Sequence, residues 1–519
     1  MKTIKKIKLQ NFKRFQQFSV DFDEELNLII GDNEAGKSSI LMAIDIVLSG
    51  SRNKVESIGL DSLFNQDVVI AFLASEKKYE QLPIFYIELY LDEQNNPDLN
   101  GKINSDNIVT DGLRLECKAN DELSKEIKEI LLQPESNFPY EYYSIIFKTF
   151  AGDSYTGFKK YFKHIVIDNA QISNEYATRE YVKAMYHSSA ENTEKNKHQN
   201  EYRKHKDTFK TTALSALNSR MIDYAFAIRN TSKANLETDL TLTEGDINIE
   251  NKGKGKQCFI KTEFALNKAN SKLDIVLLEE PENHLSHLWM KKLIFKIRST
   301  VKKQLFITTH NNLISTRLDL RKSILLNNNS TQPLLLKALS ADTATFFMKA
   351  PDNNIIEFIL SKKVILVEGD AEYILLESFF KKIINAELAS SDIHIISVGG
   401  TSFKRYLDIA KILRIKTAII RDNDGDYQAN CIDNYSAYQD IIFKVFGDSN
   451  NDRSTFEICL YIDNTNICEE LFAAGRRTLT VQQYMLQNKA DIAFELLEKK
   501  GSKVAVPKYI KEAIEWISV

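Results

Sequence analysis

Apolar residues recur along this chain in two rhythms that replace one another. In residues 3–30, Ile4, Ile7, Leu9 and Phe12 are separated by polar residues, and Phe18, Val20 and Phe22 alternate strictly. Such spacing predicts strands with one buried face. The run Leu26-Asn27-Leu28-Ile29-Ile30 then leads into Gly31 and predicts a fully buried strand. In residues 39–48 the rhythm changes: Ile40, Leu41, Ile44 and Leu48 stand at helical spacing. Further strand-like pieces, residues 68–73, 84–91 and 144–147, flank a polar, Asn-rich loop at 92–106 and predict an elaborated sheet arm.

Residues 174–228 contain neither Gly nor Pro and are rich in Lys, Glu, Asn and His. They predict long solvent-exposed helices, either a dimerising insertion or a solvated arm. A second strand-and-helix series starts at 274–278 and 304–308, and the turn-rich stretches 327–332 and 350–354 bracket a boundary zone. From Lys363 a new alternation follows: a strand at 364–367, a helix from 371 to about 384, a strand at 393–398, a helix after Thr401, and a strand at 417–420. The expected fold class is therefore α/β, with one domain over 1–345 carrying a helical insertion at about 170–235, and a second, parallel-sheet domain over 358–519.

Composition narrows this little. A chain of 519 residues is long enough for two or three domains, and 43 % hydrophobic with 27 % charged residues describes a soluble globular protein. The five cysteines, Cys117, Cys258, Cys431, Cys459 and Cys468, are scattered without CxxC pairing, which argues against a disulfide framework or a zinc site and fits a reducing cytoplasm. No apolar run approaches a membrane span, and the opening MKTIKKIKLQNFKRF alternates charge and apolar residues where a secretory segment would not. A net charge of −3 neither supports nor excludes a nucleic-acid partner, because an electrostatic footprint is local.

The motifs carry more. Residues 31–38, GDNEAGKS, meet the pattern G-x-x-x-x-G-K-[ST] between a predicted strand and a predicted helix. Gly31 and Gly36 let backbone N–H groups curl around phosphate oxygens, Lys37 neutralises the β/γ oxygens, and Ser38 ligates Mg²⁺, with Asn33 and Ser39 beside them. ATP is the expected ligand. A nucleotide hydrolase also needs a strand that delivers acids to metal and water, and Ile275-Val276-Leu277-Leu278 ends in Glu279 and Glu280. Glu279 would support the metal and Glu280 would orient or deprotonate the water. Another apolar strand ends at His310, placed to contact a γ-phosphate. Taken alone, the acidic pair is a polar strand end and His310 a capping histidine.

The order of these motifs resembles the ABC-type ATPases of the RecF, SMC and Rad50 branch, on GDNEAGKS with Asn33, the NFKRF hairpin and EEPENHL. The resemblance implies a signature segment that caps the ATP of a second subunit. The nearest candidate is the run 251–257 around Gly255, otherwise a flexible basic loop. Asn251 stands where the family usually has Ser, and Glu279 where it usually has Asp.

In the second domain, Val364-Ile365-Leu366-Val367 delivers Glu368 through a Gly turn, with Glu372 four residues on in the first helical turn. The strand at 417–420 delivers Asp422 and Asp424, two apart and so on one side of an extended chain. Hard oxygen donors on adjacent strand ends suit Mg²⁺ or Mn²⁺ and predict phosphoryl-transfer chemistry on a phosphodiester. A calcium loop is disfavoured, because its twelfth position would be Asp433 where that loop has Glu.

EGDAE followed by a DND strand end resembles the Toprim domain. An ABC-type ATPase followed in one chain by Toprim resembles the OLD (overcoming lysogenization defect) family of nucleases. That resemblance also touches Val398-Gly399-Gly400-Thr401-Ser402-Phe403, the Glu457 segment and Lys489. It implies metal at Glu368, Glu372, Asp422 and Asp424, a second-metal ligand in Glu457, and transition-state stabilisation by Lys489. Without it, Glu457 and Lys489 are ordinary surface residues. Lys404, Arg405, Lys411, Arg414, Lys416, Arg476 and Arg477 would track a phosphate backbone or form a solvated face.

The expected function is a nucleotide-gated, metal-dependent DNA endonuclease, homodimeric or larger through its ATPase domain. OLD-type proteins often serve in anti-phage defence, in Gabija-type and retron-associated systems, so a defence partner protein or retron DNA is a further expected partner. The alternatives are a RecF-like DNA repair or organising ATPase that does not cut, and a nuclease directed at RNA or tRNA.

Overall fold

The computed structural model describes residues 2–519 apart from 134, 158, 160, 170–174, 230, 232–234, 267–272, 301–302, 328–329, 351–353, 439 and 475–477. The chain forms two compact units, residues 1–310 with 322–333, and residues 311–321 with 334–519.

In the first unit the period-two segments pair as an antiparallel sheet in the order Phe15–Asp21, Ile4–Phe12, Phe85–Leu91, Thr110–Ala119, Asn100–Gly101, with Tyr143–Thr149 also on Thr110–Ala119. The register sets Ile7 against Val20 and Leu9 against Phe18, so apolar cross-strand pairs line one buried face. The second sheet runs Ser330–Leu335, Ser323–Asn327, Leu26–Gly31, Gln304–Thr309, Ile275–Glu279, His164–Asp168. Its last five strands are parallel, so their carboxyl ends share one edge. Helix Lys37–Ser49 touches strands of both sheets and buries Ile40, Leu41, Ala43, Ile44, Ile46, Val47 and Leu48. A helix apolar on nearly every side has to be interior, and this one anchors the loop that precedes it.

Two expectations for this unit fail. Residues 68–73 are not a strand but part of helix Gln66–Leu73, whose start is capped by the Asn65 side chain accepting from Val68 N–H. A short apolar run suits strand or helix equally. The Asn65 cap, with Asp67 in the first turn, selects the helix. The 174–228 insertion is helical over Glu175–Ser189, Asn192–Thr211 and Ser215–Asn218, but residues 219–229 form no helix. There the apolar positions Ile222, Tyr224, Phe226 and Ile228 recur every second residue, a period no helix satisfies.

The second unit is built on a parallel sheet ordered Ile393–Ser397, Lys363–Val367, Lys416–Ile420, Phe443–Phe446. Helices Asp370–Ile384 and Phe403–Leu413 are the crossovers, and Lys508–Ser518 packs on the sheet. Ile365, Val367, Leu375, Phe379, Ile420, Leu460, Leu496 and Ile514 belong to one buried cluster. The unit starts earlier than the boundary at 345 to 358: residues 334–345 belong to it. Phe347 and Phe358 both meet the buried Tyr406 ring edge-on, with centroids 5.2 and 5.1 Å away, and Thr343 donates to Asp408 at 2.6 Å. These contacts tie helices Ala341–Lys349 and Ile355–Leu360 to Phe403–Leu413.

Candidate functional site

At the shared carboxyl edge of the first unit's parallel sheet, residues 31–38 join strand Leu26–Gly31 to helix Lys37–Ser49. Gly36 has φ +93°, and a Cβ there would stand 2.5 Å from the Phe15 ring, so only glycine fits both the conformation and the space. Gly31 lies equally close to its neighbour strand, where a Cβ would meet Leu326 O at 2.6 Å.

Lys37 is buried and donates at 2.8 Å to the carbonyls of Gly31 and Asp32, curling the loop onto its own side chain. Burial pulls its pKa down, and Glu280, Asp32, Glu282 and Glu279 oppose that. A cavity of about 310 Å³ is lined by Arg14, Asn33, Glu34, Gly36, Lys37, Ser38, Ser39 and Glu280.

Parallel pairing brings the expected partners to the same edge. Strand Gln304–Thr309, ending at His310, lies beside the loop's strand, and Ile275–Glu279 lies next to it. Glu279 accepts a hydrogen bond from Ser38. Burial raises the Glu279 carboxyl, the Ser38 bond opposes that, and Asp168 and Glu280 add to it. Glu280 has φ +42°, accepts from Asn283 Nδ2 at 3.0 Å and lies 3.4 Å from His310 Nδ1.

Gly255 does not line the cavity. It opens helix Lys254–Leu266 against the turn after Glu280, where a Cβ would stand 2.3 Å from His284 O. The run 251–257 is thus a helix start held down by Lys252 and Lys256 on Glu244, each at 2.8 Å, and not a flexible loop.

Three groups escape a linear reading. Arg14 reaches across from the hairpin to Glu34 O at 2.5 Å and Asn327 O at 3.3 Å. Asp168 ends the strand next to Glu279. Glu282, buried, accepts from Thr309 Oγ1 at 2.6 Å and His310 N–H at 3.2 Å. The NFKRF hairpin was the one available pointer to Arg14.

In the second unit Glu368 follows strand Lys363–Val367, and its carbonyl accepts from Gly400 N–H at 2.9 Å. Glu372 lies in the first turn of Asp370–Ile384, buried. Asp422 follows the adjacent strand Lys416–Ile420 and accepts from Phe456 N–H at 2.7 Å, at the start of helix Phe456–Asp463. Glu457, 1 % exposed, sits in that same first turn, and Lys489 Nζ reaches it at 3.1 Å from the start of helix Lys489–Lys500.

Asp424 departs from expectation. Its φ of +50° ends the extended chain, so it does not repeat the direction of Asp422. It is half exposed, 3.8 Å from Arg421 Nη2. Burial and then Asp424 raise the Glu368 carboxyl, so Asp424 remains a neighbour of the cluster. Arg421 itself is buried, with Nη1 donating to Tyr435 Oη at 3.0 Å, and was not anticipated.

The electrostatics of these carboxylates are mutual. Burial, then Glu372, Glu457 and Glu368, push Asp422 up to about 8, while burial with Glu457 and Glu368 pushes Glu372 up to about 7. Burial opposes the charge on Lys489, but Glu457, Asp422 and Glu372 outweigh it and hold its pKa above the ordinary value. Among buried atoms, Glu368 Oε2 and Glu457 Oε2 have no hydrogen-bond partner.

Unsatisfied buried carboxylate oxygens facing like charges are the donor chemistry of a hard divalent cation. The set is open: among the described residues no three His, Cys, Asp or Glu side chains are close enough to hold an ion alone. Water and phosphate oxygens would complete the coordination, as Mg²⁺ usually requires. Lys404 lies over the Tyr435 ring and Arg405 donates to Thr343 at 3.0 Å, whereas Arg414 is paired with Asp440 and Lys416 with Trp516 O. Arg476 and Arg477 lie outside the described residues. All five cysteines are buried thiols. Among the described residues no helix is long and apolar enough to cross a membrane.

The model of an AAA ATPase domain matches residues 1–254, and that of the overcoming lysogenization defect protein-like TOPRIM domain matches residues 359–424. The DNA double-strand break repair Rad50 ATPase of Methanococcus maripaludis is 29 % identical over 132 residues, 25 % of this chain and 12 % of that protein. The DNA replication and repair protein RecF of Francisella tularensis is 32 % identical over 133 residues, 26 % of this chain and 34 % of that protein. The chain thus spans 34 % or less of the length of these curated relatives.

The solved C-terminal region of the Xanthomonas campestris pv. campestris OLD protein is 24 % identical, covers 30 % of this chain and 94 % of that one, and has a TM-score of 0.21. The AAA ATPase match lies in the first unit and the Toprim match in the second. An AAA ATPase domain is thus followed in one chain by an OLD-like Toprim domain.

Proposed function

We propose that this protein is a divalent-cation-dependent DNA endonuclease whose Toprim site is gated by ATP bound at residues 31–38, dimeric through its ATPase domain, and an effector of anti-phage defence. The observation that carries the reading is the cluster of half-buried Glu368 with buried Glu372, Asp422 and Glu457, and Lys489 against it. A structural core has no use for four neighbouring acids, three of whose carboxyls are raised by burial and by the others' charges, whereas a site that meets a cation and a phosphodiester does.

Bound Mg²⁺ or Mn²⁺ would make water acidic enough to attack phosphorus and would neutralise the departing sugar oxygen. Glu368, Glu372 and Asp422 would contribute oxygens to it, water and phosphate oxygens would complete its shell, and Asp424 and Glu457 are further neighbours of Glu368. Lys489 places its ammonium where the phosphate gains negative charge as water adds and the P–O bond breaks. Glu457 aims that ammonium, and Arg421 holds Asp424. The names of the RecF and Rad50 relatives, both DNA repair proteins, favour DNA as substrate.

At the other site, Lys37, Ser38 and Glu279 suit the phosphates and Mg²⁺ of ATP, and Glu280 with His310 suits the attacking water. Supercoiled plasmid nicking with Mn²⁺ in ATP, ADP and a non-hydrolysable analogue tests the gating. Rates that differ between nucleotides support it, and equal rates in all three and without nucleotide refute it. RNA cut while plasmid stays intact would instead mark an RNA-directed nuclease, and no cutting of either would mark a RecF-like repair ATPase.

A further inference from the structure

In the second unit the loop Gly399-Gly400-Thr401-Ser402 leads from strand Ile393–Ser397 into helix Phe403–Leu413 at the carboxyl end of the parallel sheet. Gly400 N–H donates to Glu368 O at 2.9 Å, so the loop lies against the turn that presents Glu368. Gly399 and Gly400 have φ of +64° and +120°, and a Cβ on either would meet nothing within 4 Å. The two glycines serve the backbone path and leave it bare to open space.

The helix that follows lacks the usual compensation at its positive end. Ser402 stands at the cap position, yet its side chain caps no N–H. Phe403 and Lys404 N–H have no acceptor within the helix. The first turn holds no acid and carries Lys404 and Arg405 instead. Cations there oppose the helix dipole, and helices Asp370–Ile384 and Phe456–Asp463, which border the same acidic cluster, begin with acids. Arg405 turns to Thr343, whereas Lys404 is exposed and has no ion pair among the described residues.

A second, independent feature is a buried cation with an unmet donor. Arg421 is 6 % exposed, its Nη1 donates to Tyr435 Oη at 3.0 Å, and its buried Nε has no partner. Asp424 Oδ2, 3.8 Å from Nη2, lies outside hydrogen-bond reach. Arg421 Cζ and Lys404 Nζ stand 5.8 and 5.9 Å from the centre of the same Tyr435 ring, which joins this guanidinium to the helix start. A buried donor without an acceptor costs free energy that an anion would offset.

We infer that residues 399–402, the first turn of helix Phe403–Leu413, Lys404 and Arg421 bind a phosphate of the DNA strand, flanking the one held at Glu368, Glu372 and Asp422. Bare N–H groups at the helix start accept phosphate oxygens as partners, Lys404 adds a point charge, and Arg421 adds a fixed fork of donors. Such a contact ignores base identity and fixes the strand's register, so that the neighbouring phosphate meets the metal-binding acids. The inference rests on the proposed function for the identity of the strand, and its test reads binding instead of cutting.

Anisotropy of a labelled DNA duplex, titrated with the full chain in Ca²⁺ at several salt concentrations, measures the contact. Lys404→Ala should lower the slope of log affinity against log salt by about 0.9, the share of one phosphate, while Lys508→Ala, exposed elsewhere in the unit, should leave it unchanged. Ser402→Asp supplies a good helix cap and a competing carboxylate, so it should keep or raise the melting temperature and weaken DNA binding by about tenfold. An unchanged slope in Lys404→Ala, full affinity in Ser402→Asp, or no duplex binding by wild type would overturn the inference. Plasmid left intact while the slope falls would fail the nuclease reading alone, and nicking with an unchanged slope would fail the phosphate subsite alone.

Discussion

Replacing Asp422 by Asn should stabilise the cation-free protein while abolishing the site's use for a cation. Asp422 is buried among Glu372, Glu457 and Glu368, and its carboxyl is raised from 3.8 to about 8. Between those two values the native state holds a proton that the unfolded chain releases, so stability falls as pH rises across that window. At 1.36 kcal/mol per unit the penalty approaches about 5 kcal/mol at pH 8. Because neighbouring carboxyls share the relief, Asn should recover about 2–4 kcal/mol of it.

Asn keeps an oxygen to accept from Phe456 N–H, so the helix start is undisturbed. For a unit of this size the gain amounts to a melting-temperature rise of about 5–10 °C. Thermal melts in EDTA at pH 4, 6 and 8 check this. The variant should gain most at pH 8 and almost nothing at pH 4, and added Mn²⁺ should raise wild type but not the variant. A variant that melts with or below wild type at pH 8, or a gain independent of pH, would refute the account of the cluster as mutually repelling buried acids.

Other sites give independent tests. Lys489→Ala should slow nicking about 10²–10³-fold, the usual effect of removing one charge from a developing oxyanion, and wild-type rates in a plasmid assay would remove Lys489 from the mechanism. Gly36→Ala forces a Cβ into the Phe15 ring at φ +93°, so fluorescent-nucleotide titration should show ATP affinity lowered by about tenfold or more. Asp45, in the helix after the loop, is pushed down to about 2: burial opposes the shift, and the His164 and Lys54 partners outweigh it. That stability is present above 3.8 and lost as pH falls toward 2, so Asp45→Asn should cost about 2 kcal/mol in denaturant melts at pH 7 and nothing near pH 2.

Both sites were legible from the chain wherever a strand, a glycine turn and a helix follow one another within a dozen residues. The loop 31–38 and the Glu368 to Glu372 turn are of that kind, and the structure places their strands on shared sheet edges. What escaped depends on contacts between distant residues. Arg14 joins the nucleotide loop through a hairpin, Asp168 reaches Glu279 only by pairing of strands more than a hundred residues apart, and Arg421 is drawn inward by Tyr435. The misplaced direction of Asp424 came from extending a strand one turn too far, past the point where the backbone goes left-handed. In residues 68–73 the Asn65 cap decides for a helix where the apolar run alone suits either element, and in 219–228 a period-two pattern interrupts a stretch whose composition otherwise favours helix.

The central claim is that the acids at the Toprim strand ends cut a phosphodiester. Supercoiled plasmid incubated with Mg²⁺ or Mn²⁺ and either the wild-type chain or Glu368→Ala measures it directly. The account predicts open-circular product from wild type, none in EDTA, and a loss of at least about 10²-fold in the variant. Intact plasmid with wild type in both metals, or equal nicking by the variant, would contradict it.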